Sequence, residues 1–427
     1  MATPAEAILD LDAQRRAIAA SVNTMGVAAD DMDTLAELAG KILEIPTGGG
    51  DDAYYGRPED WLPMPTPDDN ELYMLFLIPR TEAALCAFTI SLVGNTGTYT
   101  VELGTVTGGA FAANPAFTQT LASGTKCALS FDYDDWGNET AEGFRQAMIK
   151  VSGNILAVYP QSYPSRATYF ATTSIVEIAG QLPNCTTFRL TSDSTSTNSE
   201  SRAWSQTRYF ALYGPNKITA GNRMFEYAVN LVSVLALDTS LFTTMERMHY
   251  SNHNLRHIPE YNLQNVTGAQ LAFWQCYAIT RIPIINGNNL TSNVYACESM
   301  FRYCCALLEL PNQIQYRGNI GQLAEQCYAL RSADGLDVSA TTVMTSAFSS
   351  CFALSRMTIK PGITLSGGLN ISIRDCAFSR GALVELFESL PTAVAASTLT
   401  ITANPGASAL TADDKLIATA KGWTITG

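Results

Sequence analysis

Charge is scarce in this chain. Asp, Glu, Lys and Arg make up 15% of its 427 residues, against roughly 25% in an average soluble domain. Positive charge is scarcer still: 26 Lys and Arg against 39 Asp and Glu leave a net charge of −13. Nucleic acid and anionic membranes, which recruit basic surfaces, are therefore not expected as general partners. Histidine occurs three times, at His249, His253 and His257. A Ser-His-Asp site would have to draw on that one cluster. Long apolar runs are missing. The longest, Leu72 to Pro79, falls far short of the ~20 residues that span a bilayer. The start, Met1-Ala2-Thr3-Pro4-Ala5-Glu6, has neither the basic region nor the apolar core of a secretory signal, so the expectation is a product made in the cytoplasm without membrane insertion. There is no P-loop and no GxGxxG, so no cofactor and no enzymatic activity are expected. The ten cysteines include no CxxC pair, which argues against a metal or redox motif.

Most of what the chain does have is a repeat. The pattern F-x-x-C-x-x-L-x-x-I-P fits Phe273, Cys276, Ile279, Ile282 and Pro283, then Phe301, Cys304, Leu307, Leu310 and Pro311, then Phe348, Cys351, Leu354 and Met357. Weaker copies carry Ala324, Cys327 and Leu330, and Phe225, Ala228 and Leu231; a divergent one carries His249, Asn252 and Leu255. The third position recurs at 231, 255, 279, 307, 330 and 354, in steps of 24, 24, 28, 23 and 24. Repeats of this length cannot bury an apolar face alone, so they stack and share a core. The spacing places Phe, Cys and Leu on one face of a short helical turn. The cysteines read as small buried hydrophobes.

Met300-Phe301-Arg302-Tyr303-Cys304-Cys305-Ala306-Leu307 resembles the BspA-type leucine-rich repeats of bacterial surface antigens, which also occur in tail and fibre proteins of bacteriophages. The resemblance covers about residues 220–390. It implies a repeat solenoid that binds and displays. The ending Lys421-Gly422-Trp423-Thr424-Ile425 is similar to the ends of phage-encoded repeat proteins.

Upstream, Thr3-Pro4-Ala5-Glu6 forms a capping box with Pro at the first helical position. The stripes Ile8, Leu11, Ile18, Val22 and Leu35, Leu38, Ile42, Ile45 then indicate a helical hairpin or coiled coil over 1–46. It resembles the helical segments that open phage fibres, and implies attachment to other virion proteins and a homotrimer. A Gly-rich linker follows at 47–54. Residues 55–160 are expected to form a β-sandwich, with strands at Leu72–Ile78, Ala87–Val93, Thr98–Leu103, Thr125–Phe131 and Ala147–Val151. Its Tyr99–Gly104 strand resembles the corresponding strand of PKD-like sandwiches without that motif's Asp and Trp. The solenoid is expected at 161–390, with a Ser/Thr-rich loop at 192–201, and a C-terminal cap at 391–427. The expected fold class is thus mixed α+β: a helical hairpin or coiled coil, a β-sandwich, then a leucine-rich-repeat solenoid with a cap.

Two sets of residues are candidates for ligand binding. Arg256, Arg281, Arg331 and Arg356 recur in the strand after each turn, interrupted by Glu309; an arginine ladder can grip an anionic glycan. Trp274, Tyr277, Tyr303, Tyr328 and Phe352 flank the Cys position and could stack on sugars. The plainer alternative is that the arginines pair with acids and the aromatics are partly core. His249, His253 and His257 are spaced as metal ligands on a helix, but His257 falls beyond the turn, so no metal site is expected. Asp132-Tyr133-Asp134-Asp135-Trp136-Gly137 starts like a calcium loop and lacks the closing Glu; it reads as a solvated turn. The expected function is a phage tail or fibre protein that presents its repeats to a host cell-surface glycan or protein. The alternatives are a bacterial adhesin of the same repeat family and a structural virion decoration.

Overall fold

The computed structural model describes residues 56–80, 84–160, 175–190, 204–287, 290, 296–311 and 314–427. The chain divides into two units, Met1–Tyr55 and Gly56–Gly427. The helical segment and linker expected over 1–54, and the loop at 192–201, lie outside the described residues. In the second unit the fold class is corrected. It is mostly β, with a β-solenoid of about nine turns and two α-helices among the described residues. Neither a free-standing β-sandwich nor an α/β leucine-rich-repeat architecture is present there.

The first strands are β1 (Glu71–Ile78), β2 (Ala84–Leu92), β3 (Thr98–Thr107), β4 (Ala110–Ala122), β5 (Lys126–Phe131), β6 (Arg145–Ser152), β7 (Ile155–Pro160), β8 (Ile175–Gln181), β9 (Thr187–Phe188), β10 (Tyr209–Leu212) and β11 (Ser233–Ala236). The five strands expected from the sequence coincide with β1, β2, β3, β5 and β6. They do not close into a sandwich because their large sheet continues. Its order is β11-β10-β8-β1-β6-β3-β4. Pairing is antiparallel from β4 through β1 to β8, then parallel from β8 to β10 and β11. The smaller sheet, β5-β2-β7-β9, makes the same change where β9 pairs parallel with β7. The antiparallel region is therefore the first course on which the solenoid is laid.

The apolar run at Leu72–Ile78 is explained by this position. Alternate side chains of a strand face opposite sides. Leu72, Met74, Phe76 and Ile78 enter the long core between the sheets, where Phe76 stacks on Phe131 at 4.3 Å. Tyr73, Leu75 and Leu77 face a second core roofed by Trp61 and Leu62. A central strand buried on both faces reads as a continuous apolar run.

Beyond β11 the coils are held by short parallel pairs: β12 (Tyr261–Asn262) with β13 (Ile284–Ile285), β14 (Gly318–Asn319) with β16 (Thr341–Val343), and β15 (Ser332–Leu336) with β17 (Arg356–Ile359). Then β18 (Asn370–Ser372), β19 (Ser397–Thr400) and β20 (Trp423–Thr426) form a parallel three-stranded sheet, with α1 (Arg380–Ser389) between β18 and β19 and α2 (Ala412–Thr419) between β19 and β20. The C-terminal segment thus adds further coils, each with a helix, rather than a separate cap.

The F-x-x-C-x-x-L segments are not helical. Each is a run of overlapping turns, with left-handed residues at two positions four apart: Arg247 and Ser251, Leu271 and Gln275, Ser299 and Tyr303, Gln322 and Gln326, Ser346 and Ser350, all with φ between 52° and 64°. Backbone donors alternate in use. Leu271, Phe273 and Gln275 donate to Glu298, Met300 and Arg302 of the next coil, while Ala272, Trp274 and Cys276 donate three residues back along their own coil. A left-handed residue at the third position of such a turn is the type II geometry. It turns every other N–H outward to the neighbouring coil. A helix would direct all of them along its own axis, so the coils would lose this ladder.

Candidate functional site

All fourteen repeat residues singled out above (Phe225, Leu231, Leu255, Phe273, Cys276, Ile279, Phe301, Cys304, Leu307, Cys327, Leu330, Phe348, Cys351 and Leu354) are fully buried. Rings at the Phe position, Phe225, His249, Phe273 and Phe301, continue an aromatic column begun by Phe188 of β9 and Phe210 of β10, with successive ring centroids 4.9 to 5.9 Å apart. The Cys position forms a second column. The thiols of Cys276, Cys304, Cys327, Cys351 and Cys376 each donate to a carbonyl of the preceding coil at 3.0 to 3.2 Å. Asn252 does the same with its amide, donating to Phe225 and Ala228 at 2.6 and 3.2 Å. The site demands a small side chain; Cys and Asn add a donor, while Ala228 fills it without one. All ten cysteines are free, and burial pushes the column thiols well above their ordinary pKa.

The divergent coil is undistorted. His249 takes the Phe place, stacked between Phe225 and Phe273. Its Nδ1 donates to Asn252 Oδ1 at 2.8 Å and its Nε2 accepts from the Tyr261 hydroxyl at 3.0 Å. Desolvation lowers its pKa to about 3, so it is neutral. His253 instead stacks on Tyr277 at the surface, and His257 Nδ1 lies 3.1 Å from the Ser233 hydroxyl. The three imidazoles do not converge. Among the described residues no group of three or more His, Cys, Asp or Glu is gathered as a metal site. At Asp132–Gly137 the chain makes a tight turn, Trp136 is buried, and the guanidinium groups of Arg80 and Arg145 lie over the Tyr133 ring.

The four arginines lie exposed in four of five successive coils, with Glu309 in the place between Arg281 and Arg331. Arg281 pairs with Glu309 at 3.3 Å, and Arg356 with Asp334 and Glu385 at 2.8 and 2.7 Å. The Arg356 guanidinium holds the Glu385 carboxyl below the usual range. The charges of Arg281 and Arg356 are compensated by neighbouring coils, and such exposed pairs add little stability. Beside them lies a groove of about 690 Å³, whose lining includes Glu309, Asp334, Asp337 and Lys360. Burial favours a neutral Asp337, but the Ser339 hydroxyl and the Lys360 ammonium outweigh it and hold the carboxyl low. The groove itself carries three carboxylates against one ammonium, which disfavours an anionic ligand there.

The aromatics fall into two exposed or half-exposed columns along the turn edge. One comprises Tyr227, Tyr250, Trp274 and Tyr303, in contact at 5.4, 4.4 and 5.7 Å. Arg247 lies over Tyr250 and Arg302 over Tyr303. The other follows the Cys position: His253 stacks on Tyr277 at 4.9 Å and Tyr328 on Phe352 at 5.2 Å. Tyr277, Tyr328 and Phe352 are 37%, 40% and 60% exposed. Tyr227, Tyr250 and His253 were missed as members. Tyr227 and Tyr250 stand two and one residues after the Phe place, a phase that differs between coils because both positions lie at or beside a left-handed residue; His253 holds the same place as Tyr277 in a divergent coil.

The fold and this edge define a repeat-presenting β-solenoid protein. No protein-family model, curated protein or solved structure matches the chain. No helix among the described residues is long and apolar enough to cross a membrane.

Proposed function

We propose that the chain is a virion protein of fibre type that presents its solenoid to a host cell-surface glycan or protein. Its repeats would be of the BspA type found in phage tail and fibre proteins. Residues 1–46 would attach it to other virion proteins and hold it as a homotrimer. It acts by binding, without catalysis or a cofactor. The observation that carries this reading is the double column of outward aromatics on the turn edge. Large apolar side chains kept in water at regular intervals along a rigid scaffold are characteristic of a binding surface. Arg281 and Arg356, engaged by acidic residues of neighbouring coils, are not part of it.

The test is adsorption of the labelled full chain to a panel of bacterial cells differing in surface glycan. Sedimentation with a subset of strains is expected, lost when Tyr277, Tyr328 and Phe352 are changed together to Ser. Adsorption to no strain, or unchanged adsorption by the triple variant, would reject the reading. A solution mass three times the 46.0 kDa chain is expected; a monomeric mass would reject the role given to residues 1–46.

A further inference from the structure

The column after the Cys position skips one coil. In chain order it runs His253, Tyr277, Cys305, Tyr328, Phe352. Register is fixed by the backbone: Ala306 N–H donates to Tyr277 O, Ala329 to Cys305 O and Ala353 to Tyr328 O, at 3.0 to 3.2 Å. Aromatic rings stack in pairs on either side of the gap, His253 on Tyr277 and Tyr328 on Phe352. Between them stands the half-buried Cys305 thiol, with a side chain too short to fill the space.

The ring faces of Tyr277 and Tyr328 that are free of those partners look onto the coil of Cys305. Two coil steps at roughly 4.8 Å set the rings about 10 Å apart. That equals two stacking contacts of about 5 Å each, the separation at which one further ring touches both faces. The rim is polar and close to neutral. The Tyr328 hydroxyl donates to Gln326 Oε1 at 2.8 Å, and Arg302 is matched by Glu325 at 2.8 Å. A ring with apolar faces and hydroxyls at its edge suits both features. A purely aromatic guest would leave the rim groups without partners.

We propose that the gap at Cys305 is a binding slot for one neutral pyranose ring, clamped between Tyr277 and Tyr328. As a receptor contact it rests on the host-recognition reading above. The test uses the full chain and the methyl glycosides of glucose, galactose, mannose and N-acetylglucosamine, followed by saturation-transfer NMR and by the rate at which a thiol-specific reagent modifies Cys305. At least one glycoside is expected to bind and to slow that modification. Cys305→Tyr, which completes the stack, is expected to weaken binding at least tenfold with an unchanged melting temperature. Should that variant fail to fold, Tyr277→Leu with Tyr328→Leu takes its place with the same expectation. Binding of none of the four, or binding undiminished in the folded variant, overturns the slot. Adsorption to cells without any glycoside binding rejects the slot and leaves host recognition standing. Glycoside binding at the slot without adsorption to any cell does the reverse.

Discussion

At the scale of single residues, the Cys position is held by groups chosen for small size. Cys304 fills such a space and also donates to Phe273 O. Cys304→Leu supplies bulk without a donor and is expected to cost about 1–3 kcal/mol through overpacking, read from denaturant midpoints. A thiol reagent should modify Cys305 in the native chain and all ten cysteines after denaturation; rapid native labelling of Cys276 or Cys304 would contradict the buried column. His249 gives a pH signature. Its folded pKa of about 3 lies below the ordinary 6.5, so between those values the unfolded chain binds a proton that the folded chain does not. The stability it permits is complete above pH 6.5 and is lost as pH falls toward 3, at up to about 1.4 kcal/mol per unit. His249→Phe keeps the stack and removes that slope. It also leaves Asn252 and Tyr261 short of a partner, at about 1–3 kcal/mol at neutral pH. Melting curves from pH 7 to 4 check both parts. Lys421 shows how a surface residue can be structural: its ammonium donates to the carbonyls of Phe387, Glu388 and Leu390 at 3.1, 2.6 and 2.9 Å, closing the C-terminal end of α1.

At the scale of elements, the sheet edge and the turn ladder are each shaped by backbone geometry. Strand β4 is the outer edge of the seven-stranded sheet, thirteen residues without a charge. Such an edge invites pairing with another chain. Here residues 114–117 bulge out between the pairs Gly104↔Ala113 and Glu102↔Thr118, with Pro115 lacking a donor and Asn114 Oδ1 bonded to Ala116 N–H. Pro115→Val should straighten the edge and raise light scattering on concentration; scattering equal to that of the parent would show that the bulge does not protect it. In the turn ladder, Ser346 carries φ 55°, a conformation that disfavours side chains branched at Cβ. Ser346→Gly is expected to raise stability by up to about 1 kcal/mol and Ser346→Val to lower it by more, measured as a shift in melting temperature.

At the scale of the whole unit from Gly56 onward, the shared sheet decides how the parts depend on one another. Strand β1 pairs with β6 on one side and with β8 on the other, and both of its faces are covered. A fragment of 56–160 would expose that edge and lose Val176, Tyr209 and Val232 from the outer core. It is expected to be unfolded or aggregated by circular dichroism and scattering. A folded fragment with a sharp thermal transition would show that the antiparallel region stands alone. Conversely, the solenoid depends on this region to cover the first coil, as terminal repeats must in any stacked array.

The sequence by itself determined the periodicity and what is buried at each phase, because a column repeated in every coil imposes the same size and polarity on the same position. It also marked five of the early strands. It misled where local pattern and tertiary demand diverge. A three-residue spacing fits a helical turn and a chain of left-handed turns equally, and only the neighbouring coil, which must receive every second N–H, selects the latter. The junction at β8 was hidden for a similar reason: its antiparallel partner β1 and its parallel partner β10 are chosen only by tertiary pairing. The arginines recur by sequence, yet the neutralisation of Arg281 by Glu309 and of Arg356 by Asp334 and Glu385 comes from coils 22 to 29 residues away. The slot at Cys305 is a vacancy between side chains that only stacking brings into one column.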